Sequence, residues 1–225
     1  MSKVNDLNMK LSLDQRSLCL LVIRQINYSF PDGNDVAFDD VMPAIPESLS
    51  RMEYCFSHVN NIYFFDGKSV VFSHLHGDQY AMWLYILSNE LFKMGAHTHV
   101  CEKTFLLNKK MHSCDIFYEV ALPSIFLLVH PLATVLGRGH YSDFFVAYQR
   151  CGVGSNNDVY PALVRNLTMR PGSSILGASV VGNNCQIGAE AFIIDQEVSD
   201  NSLVLGTPKH HQIKNNSQYH SGWRA

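Results

Sequence analysis

A chain of 225 residues that is 47% hydrophobic and 16% charged holds enough apolar material for one large domain or two small ones, which excludes global disorder. A net charge of −3 and a pI near 6.4 exclude the broad basic surface that marks a nucleic-acid partner. Six dispersed cysteines (Cys19, Cys55, Cys101, Cys114, Cys151 and Cys185) form no C-x-x-C pair, so reduced, buried thiols are expected rather than a disulfide framework.

The first 125 residues carry helical patterns. "LDQRSLCLLVIRQINYSF" at 13–30 repeats apolar residues at helical spacing and stops at the turn signal "PDG" of 31–33. Its core, "LCLLVI" at 18–23, is too short to span a bilayer and lacks the layout of a signal peptide, so a cytoplasmic protein with no membrane span is expected. "PESLSRMEYCFSHV" at 46–59 puts Leu49, Met52, Cys55, Phe56 and Val59 on one face. "NIYFFDGKSVVF" at 61–72 reads as a hairpin turning on Asp66-Gly67. "GDQYAMWLYILSNELFKMG" at 77–95 gathers Tyr80, Trp83, Leu84, Leu87 and Leu91, with Gly95 as C-cap. "CEKTFLLNKKM" at 101–111 is a fourth helix.

Beyond residue 125 the helical pattern gives way to short β-type runs and frequent glycine. Leu163, Met169, Ile175, Val181, Ile187 and Ile193 recur every six residues, with a small residue often close behind. Neither a helix nor a flat strand selects that interval. A three-sided coil does, with one inward residue per face and about 18 residues per turn. The corner behind each face needs a small side chain or one tolerant of positive φ. The fold expected is therefore α+β: a mainly helical domain over 1–125, a parallel β-helix over 126–210 and a C-terminal tail over 211–225. The tail is polar and aperiodic, and is expected to fray or to lie on a neighbouring subunit, with Trp223 as its anchor.

"ILGASVVGNNCQIGAEAFIIDQEVSDNSLVLGTPKH" at 175–210 resembles the last coils and exit of the hexapeptide-repeat acyltransferases, and a helical domain ahead of the coils resembles the serine acetyltransferase branch. The resemblance is specific over about residues 128–210 and only architectural before them. It implies a left-handed β-helix, a homotrimer with a dimer of trimers as the larger assembly, and acetyl-CoA as co-substrate with no metal. In "LVHPLATVLGRGHYSDFFVAYQRCGVG" at 128–154, His130 takes the position of the general base, followed by Gly137, Gln149 and Gly154. A neutral imidazole suits removal of a hydroxyl proton near neutral pH. His140 is the second candidate base, and Asp143 the carboxylate placed to orient either ring. Tyr141, Gln149 and Tyr160 are candidates for the acceptor pocket. Gly177, Ala178, Gly188 and Ala189 are candidates for the pantetheine arm. Gly206, Thr207, Pro208 and Lys209 border the adenine end by the same resemblance, with Lys209 or His210 facing a phosphate.

Three positions depart from the serine acetyltransferase pattern. Val129 replaces an aspartate, Arg138 a glutamate, and Tyr160 a histidine before Pro161. These residues bear on acceptor binding and histidine orientation, so a sugar hydroxyl of a surface polysaccharide rivals L-serine as acceptor. The competing reading is a non-catalytic trimeric scaffold whose helical domain binds a partner. The His-x-His fragments at His74–His76 and His97–His99 lack the spacing of closed zinc sites, and loop histidines are expected there.

Overall fold

The computed structural model describes residues 8–216 and 222–224. They form two compact units: Met1–Asn108 together with Gly222–Ala225, and Lys109–Ser221.

The first unit is helical with one small sheet. Strand β1 (Met9–Leu11) leads into α1 (Gln15–Ser29). Asp14 starts that helix by accepting from the Ser17 N–H at 2.9 Å, which satisfies one of the first-turn donors. Its buried face is Leu18, Cys19, Val22, Ile23 and Ile26, and it stops at Phe30, ahead of Pro31. A short helix α2 (Phe38–Val41) and a 3₁₀ turn over Met42–Ala44 feed α3 (Ile45–Ser57), whose Leu49, Met52, Cys55 and Phe56 are buried as their spacing requires.

The hairpin expected over 61–72 forms only at its tip. Phe64 and Phe65 donate their N–H groups to Asn61 O, winding 61–65 into a turn, and Phe65 bridges Val70. Strand β2 (Val70–Phe72) pairs instead, in parallel, with β1, Met9 opposite Val70. Helix α4 (Gly77–Lys93) is buried from Gln79 to Leu91, and the Trp83 indole N–H donates to Ser48 Oγ at 3.1 Å. Gly95, at φ 73, supplies the left-handed residue that ends it. Helix α5 (Thr98–His112) follows.

The second unit is a parallel β-helix of about four turns. Residues 113–124 go with it, because Asp115 bonds in parallel beside Val135 and exchanges hydrogen bonds with Thr134 and Leu136. Its strands are β3 (Phe126–Leu128), β4 (Val135–Leu136), β5 (His140–Tyr141), β6 (Phe145–Ala147), β7 (Gly152–Gly154), β8 (Ala162–Leu163), β9 (Leu167–Met169), β10 (Ser174–Leu176), β11 (Val180–Val181), β12 (Cys185–Ile187), β13 (Phe192–Ile194), β14 (Glu197–Val198) and β15 (Ser202–Leu205), closed by β16 (Gln212–Asn215). Every third strand stacks on one face. Sheet I holds β3, β6, β9, β12 and β15 plus β16; sheet II holds β4, β7, β10 and β13; sheet III holds β5, β8, β11 and β14.

The six-residue register is the coil's interior: Leu163, Met169, Ile175, Val181, Ile187 and Ile193 are all 0% exposed. One turn carries Thr168 onto Gln186, the 18-residue repeat of a regular coil. The preceding turn is longer, Val146 to Thr168, because residues 155–161 leave the coil as a loop closed by Asn156 and Val159. Where sheet III turns into sheet I, Asn166, Asn184 and Asn201 stack as a ladder, amide to amide at 2.9 and 3.0 Å. All three have positive φ, a conformation asparagine tolerates better than most side chains.

Candidate functional site

Each turn passes three corners, and the residues singled out in the sequence sort by corner. The corner from sheet I to sheet II begins with His130, whose carbonyl accepts from the Leu132 N–H at 2.7 Å. A backbone ladder descends from it: Arg150 N–H to Leu132 O, Gly172 N–H to Gln149 O, Glu190 N–H to Pro171 O, and Phe192 N–H to Gly206 O. His130, Gln149, Gly188, Ala189 and the run Gly206, Thr207, Pro208 and Lys209 therefore share one edge. The His130 ring is exposed and its φ is 48, but Ala133, Arg150, Glu190 and Lys209 on the same edge also have positive φ. That backbone strain is a property of the corner rather than a mark of chemistry.

The corner from sheet II to sheet III brings Arg138 together with Glu119 and Tyr160. Gly137, Arg138 and Gly139 lead into His140, whose N–H donates to Pro161 O at 2.9 Å. Tyr141 is buried and donates its hydroxyl to Gly137 O at 2.7 Å, so it shapes the corner rather than facing solvent. Arg138 reaches the Glu119 carboxylate at 2.9 Å. The hydrogen bonds that the guanidinium donates to the Glu119 carboxylate, and after it to the Tyr160 phenol oxygen, hold it above its ordinary pKa. Tyr160 is 41% exposed and stands next to Pro161. A side chain at Gly139 would place Cβ 3.1 Å from Pro161 O, so glycine is what allows the two turns to close up here.

Asp143 lies at the third corner, from sheet III back to sheet I. Its Oδ1 accepts the Ile125 N–H at 3.0 Å and its carbonyl accepts from the Asn166 N–H. The two candidate bases, His130 and His140, and the carboxylate expected to orient one ring or the other thus occupy three different corners of the first turn.

Several small residues expected to line a pantetheine arm have uses inside the coil. Gly177, at φ 66, leaves room for Asp195, whose Oδ1 would lie 2.0 Å from an added Cβ. That carboxylate accepts the Ala178 N–H at 2.7 Å and an Asn156 amide N–H at 2.6 Å. Gly188 leaves room for Leu205, whose Cδ2 would be 2.4 Å from an added Cβ. Gly177 and Ala178 lie on the second corner and Gly188 and Ala189 on the first, so the four do not form one continuous edge. Lys209 and His210 are exposed, and His211 Nε2 lies 2.7 Å from Phe192 O.

Glu119, Asn156 and Asp195 carry no local signal in the sequence. Their partners Arg138 and Ala178 are brought to them by the winding of the coil. The His-x-His fragments are engaged in the helical unit. His74 Nδ1 is 2.8 Å from Ser12 Oγ, His76 caps α4 and packs edge-on to Phe64, and His97 stacks on His99. Among the described residues no group of three or more His, Cys, Asp or Glu side chains converges.

No family model matches the chain. Over 67 residues it is 36% identical to the bifunctional protein GlmU of Mycolicibacterium gilvum, a match that covers 27% of this chain and 14% of that protein. Among solved structures it is similar to the serine acetyltransferase of Vibrio cholerae O1 biovar El Tor at a TM-score of 0.70 and 18% identity, over 91% of this chain and 81% of that one. It is also similar to the Brucella abortus serine acetyltransferase in complex with coenzyme A at a TM-score of 0.66 and 16% identity, over 91% and 83% of the two chains. Helices followed by a hexapeptide coil, together with these likenesses, show that the chain has the fold of the serine acetyltransferases and resembles the hexapeptide-repeat acyltransferases.

Proposed function

We propose that this chain is an acetyl-CoA-dependent O-acetyltransferase in which an exposed imidazole on the coil acts as general base toward an acceptor hydroxyl. The observation that carries the reading is the shared fold, with helices and coil in the same order, since one of the similar structures is a serine acetyltransferase with coenzyme A bound.

In the proposed reaction the neutral imidazole takes the hydroxyl proton while the oxygen attacks the thioester carbonyl. The tetrahedral oxyanion then collapses, the carbon–sulfur bond breaks, and the imidazolium returns its proton to the departing thiolate. The products are an acetyl ester and free coenzyme A. The resemblance assigns this base to His130, on the edge that also holds Gln149, Ala189 and the run from Gly206 to Lys209. The donor would lie between coils of adjacent copies of a trimer, with acetyl-CoA along that edge and L-serine or a sugar hydroxyl as acceptor.

A second assignment is favoured by the crowding around His140. Arg138, Glu119 and Tyr160 meet at its corner, and polar side chains held in place are what an acceptor pocket needs. Replacing His130 and His140 separately by Ala, and following thiol release from acetyl-CoA with L-serine and with sugar acceptors, decides between them. The base variant is expected to lose about 10²-fold or more in kcat while remaining folded. Wild-type rates in both variants would remove the imidazole mechanism. No thiol release by the wild type with any acceptor would favour the scaffold reading.

A further inference from the structure

The last described residues of the chain form part of the helical unit. Val59 and Trp223 make an antiparallel bridge, flanked by two backbone hydrogen bonds: the Asn60 N–H to Gly222 O at 2.8 Å and the Arg224 N–H to His58 O at 2.7 Å. Val59 is 0% exposed and Trp223 only 7%. The Arg224 guanidinium donates to Ser57 O at 3.0 Å and stands 3.5 Å from the centre of the Phe65 ring, a cation–π arrangement. Three successive residues are each held differently: Gly222 by its carbonyl, Trp223 by burial, and Arg224 by main chain, guanidinium and ring. This is strand addition to the segment that follows α3, with alternate side chains supplying selectivity.

The receiving surface extends beyond these contacts. Ser57 and Phe65, which Arg224 touches, also line a cavity of about 320 Å³ that includes Glu53 and Tyr54. Glu53 supplies a carboxylate among the residues that line this recess, a charge complementary to that of an arginine held by Ser57 and Phe65.

We propose that residues 57–60 and Phe65 form a peptide-recognition groove for the Gly-Trp-Arg segment of this chain, able to take that segment from a separate molecule as well as from its own. A segment on the same chain acts at an effective concentration on the order of millimolar, so the covalently attached copy fills the groove under ordinary conditions. A free peptide competes only when that copy is weakened.

The test uses the full-length chain carrying Trp223→Ala, which weakens the resident segment and leaves the groove residues unchanged. A fluorescently labelled peptide with the sequence of residues 217–225 is titrated against it and against the wild type, with anisotropy as readout. Saturable binding to the variant, at least tenfold weaker binding to the wild type, and none by a peptide in which the tryptophan is alanine are expected. Absence of saturable binding to the folded variant, or equal binding to both proteins, overturns the proposal. Amide hydrogen exchange on the wild type tests it without the variant. The Asn60 and Arg224 amides should be protected and should lose that protection in Arg224→Ala, and unprotected exchange in the wild type would overturn the groove.

Discussion

Asp66 shows how one exposed carboxylate can fix a turn. Its Oδ1 accepts the N–H groups of Lys68 and Ser69 at 2.9 Å each, and its other oxygen meets the Lys10 ammonium. The Lys10 hydrogen bond first, and the Ser69 and Lys68 amides after it, hold the carboxyl well below the ordinary carboxylate range. A group whose pKa is depressed on folding contributes stability above its unfolded value, near ~3.9, and loses it as pH falls through the folded value. Asp66→Asn is therefore expected to unfold at a lower temperature than wild type at pH 6. Thermal melts from pH 6 to pH 2 should show the difference shrinking below about pH 4, and a gap that widens on acidification would refute the assignment. Cysteines show the opposite sign at the same scale. Burial pushes the Cys114 thiol up to about 12 and Cys19 to about 11, and all six cysteines are buried thiols outside any disulfide, so they serve as small core residues.

Among the elements, the β-helix was the most legible in the sequence, because its register is a side-chain period and each inward position had to be apolar. Ile175 occupies that register on β10, fully buried between Val153 and Ile193 of the neighbouring turns. Ile175→Ala is expected to cost about 2–5 kcal/mol, read as a shift in denaturation midpoint. Gly177→Ala, two residues later at a buried corner position, combines positive φ with a Cβ driven into Asp195 and should also destabilise although it removes no apolar contact. The four long helices were legible from apolar residues at helical spacing, although α4 is buried on every side from Gln79 to Leu91 and not along one stripe. The pairing of β1 with β2 was not legible: three residues carry too little pattern, and the partner is chosen by tertiary placement. The 155–161 loop was hidden because it interrupts the hexad count. The distribution of His130, His140 and Asp143 over three corners was equally hidden, since ten residues of sequence do not reveal how many corners the chain has turned. The docking of Trp223 on Val59 has no periodic signal at all. The tail expected to fray or to reach a neighbour instead forms β16 and, at 222–224, an addition to the helical unit; the rest of it lies outside the described residues.

At the scale of the whole molecule, the fold is that of the serine acetyltransferases, and binding of coenzyme A separates a transferase from a scaffold. Coenzyme A at 100 times its Kd should stabilise the native state by ~2.7 kcal/mol. The shift belongs to whichever unit holds the ligand, and a chain of two compact units need not melt in one step. Differential scanning calorimetry of the full chain with millimolar coenzyme A is expected to move one transition upward. An unchanged profile would favour a scaffold, a reading to which the internal duties of Gly177, Ala178 and Gly188 already lend weight.

Strand β16 reverses direction and lies antiparallel on β15, Leu203 opposite Lys214 and Val204 opposite Ile213. A stack of parallel rungs has no natural last member, since its final strand offers the same row of donors and acceptors that recruited it. By folding back, the chain spends its own backbone on that row and sets a lysine along the new border, a device that discourages further strands from joining. A protein built on a principle of indefinite extension is thereby given a defined terminus, and one face of the column is denied to end-to-end growth into a filament.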